Sequence, residues 1–116
     1  MKNFILLNEG SDPDWHKNTS EADTASQIRE WGKWMSMLSE KGQLVSGGDL
    51  LYPHGTRLNS AGVATDIAAS EYKDLIRGYS IISASDMAQA VEIAKTCPVF
   101  SDKDVVVQIR EILAME

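Results

Sequence analysis

GYSIISASDMAQAVEIAKTCPVFSDKDVVVQIREI, residues 78–112, reads as strand, helix and strand in immediate succession. Residues 78–83, Gly-Tyr-Ser-Ile-Ile-Ser, read as a main strand. Ser85 is placed to cap a helix whose inner face is Met87, Ala90, Val91 and Ala94. Small alanines on that face let the helix sit close on a sheet. Thr96-Cys97-Pro98 ends it, because the residue before a proline is pushed out of the helical region. Residues 104–112 then alternate, with Val105, Val107 and Ile109 on one face and Val106, Gln108 and Arg110 on the other. That alternation predicts a last strand.

The first half of the chain repeats this order. Residues 3–8 form an apolar run closed by turn formers, which predicts a strand buried on both faces. A polar loop over residues 9–18 follows. Thr19 or Ser20 then caps a helix with Glu21 and Asp23 in its first turn. Ile28, Trp31, Met35 and Leu38 recur at spacings of three and four, with Trp34 and Met37 widening the buried face. Lys41-Gly42 is the stop. Residues 43–51 read as a strand in which Gly47-Gly48 marks a bulge, or a close approach by a ligand or another strand. Residues 52–55 turn the chain, residues 56–60 and 63–65 suit a hairpin around Ala61-Gly62, and residues 70–76 suit no more than a helical turn. Two strand–helix–strand units imply an α+β fold, a ferredoxin-like βαββαβ sandwich with an extra hairpin, and a single domain over residues 1–116.

Composition narrows the partners. Seventeen acidic against eleven basic residues leave a net charge of −6, which opposes a phosphate backbone. RNA-binding domains share the β-α-β-β-α-β order, but they display stacking aromatics and positive charge that the strands here lack. Gly47-Gly48 has neither the third glycine nor the following lysine of a phosphate-binding loop. No apolar run approaches membrane-spanning length, and the opening MKNFILLNEGSD turns acidic too soon for a signal peptide. One cysteine excludes an internal disulfide framework and a Cys-rich metal site. The expectation is a cytoplasmic protein without nucleic-acid or membrane partners, metal or cofactor.

VATDIAASEYKDLIRGYSII, residues 63–82, resembles the central signature of YCII-related proteins of the DGPF subgroup, through Thr65, Asp66, Glu71, Lys73, Gly78, Tyr79 and Ile82, with Asp74 replacing another acid. Upstream, Gly42, Leu44, Val45, Gly47, Gly48, Asp49, Leu51 and Pro53 are similar to the family's G-x-L-V-G-G-E-G-L-x-P. Downstream, Asp86, Ala90, Ala94, Cys97 and Pro98 resemble its helix ending in Cys-Pro. The sequence departs from the pattern at Ile67-Ala68-Ala69, where the family has Gly-Pro-Phe, and at Trp31, where many relatives carry a histidine. The resemblance implies a dimeric α+β barrel, two ferredoxin-like sheets packed face to face around a cleft. It also implies cofactor-free chemistry on small organic molecules, dehydrochlorination of an aromatic ring among them.

The candidate catalytic residues are Asp66 and His54. In a partly apolar cleft a carboxylate holds its proton more tightly and serves as general acid or base; the competing reading is an acceptor for backbone N–H groups in the turn after Thr65. His54, beside the double glycine, would pair with Asp49 or Asp66 for acid–base work, or be merely solvated. His16 is a weaker candidate in the polar loop, and no metal-ligand spacing links the two histidines. Trp31, Trp34, Asp49 and Tyr79 are the candidate ligand-binding residues. The two tryptophans lie about 60° apart on a helical wheel, with Trp31 expected in the core and Trp34 the more open. Tyr79 offers a hydroxyl to a ligand or packs with it satisfied. Cys97 at an electronegative helix C-terminus reads as structural rather than nucleophilic, and Arg77 as solvated or as a carboxylate partner.

Two functions follow. One is a small cofactor-free lyase or isomerase with Asp66 or His54 moving protons in a tryptophan-lined cleft. The other is a ligand-binding or regulatory module on the same fold without chemistry. A homodimer is expected on physical grounds as well, since a sheet covered by helices on one side leaves Val106, Ile81 or Ile82, and Phe4 or Ile5 to be covered on the other.

Overall fold

A computed structural model describes residues 1–10, 20–52, 54–67, 75–101 and 104–114. In chain order the elements are β1 (Lys2–Glu9), α1 (Glu21–Glu40), β2 (Leu44–Ser46), β3 (Thr56–Leu58), β4 (Ala64–Asp66), β5 (Ile76–Ala84), α2 (Met87–Lys95), a 3₁₀ turn (Pro98–Ser101) and β6 (Val106–Glu111). Four strands form an antiparallel sheet in the order β2-β5-β1-β6, and β3 pairs with β4 in a sheet of their own. This is the ferredoxin-like arrangement with a hairpin inserted between its second and third strands. The expected helical turn at residues 70–76 falls largely outside the described residues; Ile76 already belongs to β5.

Local chemistry sets the element ends. Ser20 caps α1, its hydroxyl accepting from the Asp23 N–H at 3.1 Å. At the other end Gly42, with φ of 70°, lets its N–H reach the Ser39 carbonyl and that of Gln43 reach the Leu38 carbonyl, the paired bonds of a Schellman stop. Asp86, not Ser85, caps α2: its Oδ1 accepts from the Gln89 N–H at 2.8 Å, and Gln89 Oε1 accepts from the Ser85 N–H. The two side chains close a reciprocal box shifted one residue upstream of the usual form. The hairpin turn is held by Asn59, whose Oδ1 accepts from the N–H groups of both Ala61 and Val63 at 3.0 Å.

The core lies on one face of the sheet. Phe4 and Leu6 of β1 and Ile82 and Ala84 of β5 meet Trp34 and Leu38 of α1 and Ala90, Ile93 and Ala94 of α2. Full burial of each large apolar side chain stabilises the fold by about 1.5–3 kcal/mol. Trp34 also ties the helices together, its Nε1–H donating to Thr96 Oγ1 at 2.8 Å while that hydroxyl donates to the Ile93 carbonyl at 2.7 Å. Met87 is 44% exposed, so Ile93 takes the inward position that Met87 was expected to hold; Met87 stands at the first position of the helix, off the packed stripe. β1 is not buried on both faces. Phe4, Leu6 and Asn8 are buried, whereas Ile5, Leu7 and Glu9 are half-buried on the side without helices. In β6, Val107 and Ile109 pack against the core while Val106, Gln108 and Arg110 point away, as their alternation requires. The molecule is correspondingly thin, 43 × 42 × 19 Å.

The second strand is shorter than its apolar pattern suggests, because Gly47-Gly48 interrupts it. Pairing with β5 shifts register after Leu44 and resumes beyond the glycines, where the Tyr79 N–H donates to the Asp49 carbonyl at 3.2 Å and the Leu51 N–H to the Arg77 carbonyl at 2.7 Å. Gly48 has φ of +71°, and a side chain on it would overlap the Tyr79 carbonyl oxygen. A side chain on Gly47 would instead meet the flexible Met35 thioether. The pair therefore serves a close approach by another strand, one of the two roles expected of it.

Gly62 also has a positive φ, +83°, but its surroundings are open. Gly62→Ala should thus cost about 1–2 kcal/mol from backbone conformation alone, and Gly48→Ala more than about 3 kcal/mol because overlap adds to it. Urea unfolding of the two variants measures the difference; equal losses would remove the steric argument.

Candidate functional site

A cavity of about 340 Å³ lies between the first half of α1 and one end of the sheet. Its helical wall is Thr24, Gln27, Ile28, Trp31 and Met35, spaced so that all share one face of α1. Its other wall comes from Asn8 at the end of β1, the 47–50 segment and Tyr79. The volume falls in the range of small-molecule pockets, and the lining is mostly apolar with a few polar groups.

The helical wall exists because α1 outruns the core. Residues 21–30 are exposed throughout, and Ile28 is 66% exposed. The amphipathic stripe continues into this half, where it faces the cavity. Here the expected order of the tryptophans is reversed. Trp34 is the buried one, 4% exposed and hydrogen-bonded to Thr96, and it does not line the cavity; Trp31 is half-buried and does. Their rings meet edge to face, 5.5 Å apart at 88°, so the core tryptophan braces the cavity one.

Asp49 and Tyr79 are brought together as well. The Tyr79 hydroxyl lies 3.4 Å from Asp49 Oδ2, a long and exposed contact on the sheet face without helices, where the register sets Tyr79 beside Leu7. Three of the four expected ligand-binding residues, Trp31, Asp49 and Tyr79, are among those lining the cavity, but the Asp49 and Tyr79 side chains belong to the other face of the sheet. Asn8 was not anticipated. It is 2% exposed, in inward register with Phe4 and Leu6, and it presents a carboxamide in the cavity wall. The signal was present: an asparagine two residues beyond an inward leucine occupies a core position with a polar group.

Asp66 and His54 lie elsewhere. Asp66 ends β4 opposite Thr56 and is exposed; His54 is exposed and stacks on Tyr52, ring centroids 5.2 Å apart. Neither is among the described residues that line the cavity. His16, Glu71, Lys73, Asp74, Pro53 and the Ala68-Ala69 pair lie outside the described residues. Among the described residues no three His, Cys, Asp or Glu side chains gather as metal ligands would, and no helix is long and apolar enough to cross a membrane.

The YCII-related domain matches residues 15–116. The chain belongs to that family. Comparison with curated proteins finds no match. Within this YCII-related chain the fold and the cavity stand on the geometry above, and the family assignment carries no particular substrate with it.

Cys97, at the end of α2, is buried, and burial pushes its thiol up from 9.0 to about 11, partly opposed by a hydrogen bond from the Val99 backbone. Burial, more than the helix terminus, keeps it protonated. A folded-state value above the unfolded one means a contribution to stability that is fully present below pH 9.0 and lost as pH climbs toward about 11. Stability should fall by about 2–3 kcal/mol more over that interval in the wild type than in Cys97→Ala, measured by urea unfolding at the two ends. Parallel pH profiles would contradict a buried neutral thiol.

Proposed function

We propose that this YCII-related protein binds a small organic molecule in the cavity between α1 and the sheet. The observation that carries the reading is one mostly apolar cavity of about 340 Å³ between α1 and the sheet end, walled by Ile28, Trp31 and Met35 on one side and by Asn8 and the 47–50 segment on the other. An aromatic wall with a few oriented polar groups fits orientation of a planar or compact ligand. Binding without chemistry by Asp66 and His54 is the form the geometry favours, because both are exposed on or beside the hairpin, away from the cavity lining. The motif similarity around Thr65, Asp66 and Tyr79 supports a place in the DGPF subgroup, with Ile67 departing from its pattern.

A homodimer closing into an α+β barrel is part of the same proposal. Val106 is 60% exposed on the sheet face without helices, where Ile5 pairs with Ile81 and Leu7 with Tyr79. Residues 49–52 and 54–66 are exposed throughout, with Leu50, Leu51, Tyr52, Leu58 and Val63 among them. A two-stranded hairpin on its own is marginally stable in water. The radius of gyration, 15.5 Å, exceeds the roughly 13 Å of a compact chain this long. Packing two copies covers both surfaces by two-fold symmetry.

Thermal melting against a library of small organic molecules tests the site. A ligand at a hundred times its dissociation constant should stabilise the fold by about 2.7 kcal/mol. The shift should vanish in Trp31→Ala and survive in Asp66→Asn. A ligand whose shift survives Trp31→Ala would place binding elsewhere. Sedimentation equilibrium should give twice the chain mass of 12.8 kDa, with Val106→Asp weakening association at least tenfold. A 12.8 kDa species at micromolar concentration would rule the dimer out.

A further inference from the structure

Asn8 is a polar side chain at a core position for which the fold supplies no partner. It is 2% exposed, in inward register with Phe4 and Leu6 on the face that α1 covers, and it lines the cavity. Its neighbours across the sheet are Val107 of β6 and Gly78 of β5, with Leu50 bridged to Gly78 beyond. None of these has a polar side chain, and among the described residues nothing hydrogen-bonds to the Asn8 carboxamide. Ser80, the other buried polar residue of this face, is satisfied, its hydroxyl donating to the Gly47 carbonyl at 3.1 Å. Buried polar side chains are nearly always hydrogen-bonded, so the group that completes Asn8 comes from the cavity.

Resting on the binding reading above, we propose that the cavity takes an uncharged ligand with an amide edge, an N–H beside a carbonyl, and that Asn8 selects it. A carboxamide holds a donor and an acceptor side by side, and an amide edge pairs with both at once. A ketone engages the donor alone and leaves the acceptor bare. Charge of either sign is disfavoured. No described lining residue is Lys, Arg or His, and the Asp49 carboxylate lies beside Tyr79 on the opposite face of the sheet. An ion seated against Asn8 would lose water without gaining a counter-charge. Ile28, Trp31 and Met35 receive the apolar body. An apolar residue of the same shape would remove the unpaired polar group, so the asparagine is a recognition group held at a cost to the free fold.

The test titrates benzamide, acetophenone and benzoate, probes that share one ring, into the protein and into Asn8→Leu at neutral pH. Benzamide should bind the wild type about tenfold more tightly than acetophenone, with benzoate weakest. In Asn8→Leu that preference should disappear, and the variant without ligand should melt no lower than the wild type. Acetophenone bound as tightly as benzamide, with both depending on Trp31, would overturn the amide assignment and leave the cavity as a binding site. A preference for benzamide that survives Asn8→Leu would overturn the role of Asn8. A lower melting midpoint in that variant would show that Asn8 serves the fold, and would overturn its assignment as a recognition group. If none of the three probes binds, the proposal falls, whereas a library ligand whose stabilisation needs Trp31 still upholds the cavity.

Discussion

The approach of Gly48 to Tyr79 is the constraint on which the rest of this structure depends. Within β2 the chain shifts register with β5 after Leu44, and it pairs with β5 again from Asp49 because no side chain stands between the Gly48 backbone and the Tyr79 carbonyl. The return has three consequences. It extends pairing of the sheet edge through Asp49 and Leu51. It sets the Asp49 carboxylate beside the Tyr79 hydroxyl. It also leaves room at Gly47 for the Met35 thioether, which joins the cavity wall from α1. Sheet edge and cavity floor are thus one piece of backbone, and a change made for one acts on both.

Much of the fold was legible because each element carries its own period. The alternation of Val105, Val107 and Ile109 against Val106, Gln108 and Arg110 needs no partner to be read, and the structure keeps both faces as assigned. The α1 stop at Gly42 and the cap at Ser20 were equally local, set by residues that serve one geometry well. What failed was local choice between near-equivalents. Ser85 and Asp86 are both good caps, and the Gln89 side chain decides between them by engaging the Ser85 N–H.

The candidate site was legible in its residue types and less so in its arrangement. Trp31 and Trp34 belong to one broad apolar face, and their sequence spacing is silent about where the sheet ends. Trp34 and Leu38 fall over the sheet and become core; Trp31 and Ile28 fall beyond it and become a wall. Asp66 and His54 drew attention as titratable residues close to glycines and turns. Backbone pairing instead fixes Asp66 within a two-stranded hairpin apart from the main sheet, Thr56 with Asp66 and Leu58 with Ala64. That distance from the cavity is a property of sheet topology, which no short window of sequence contains.

This division of α1 also separates the core-packing half of the helix from the half that lines the cavity. Its second half is anchored by burial of Trp34 and Leu38 and by the indole bond to Thr96, so truncations there act on the whole fold. Its first half buries none of its residues, 21–30, and is held by the Ser20 cap and by helical continuity. Such a segment is a region of low local stability. A ligand seated against Ile28 and Trp31, as proposed, would supply contacts that this half lacks, and its binding would then be coupled to the ordering of the helix. The edge-to-face contact between Trp31 and Trp34 joins the ring that packs the core to the ring that lines the cavity.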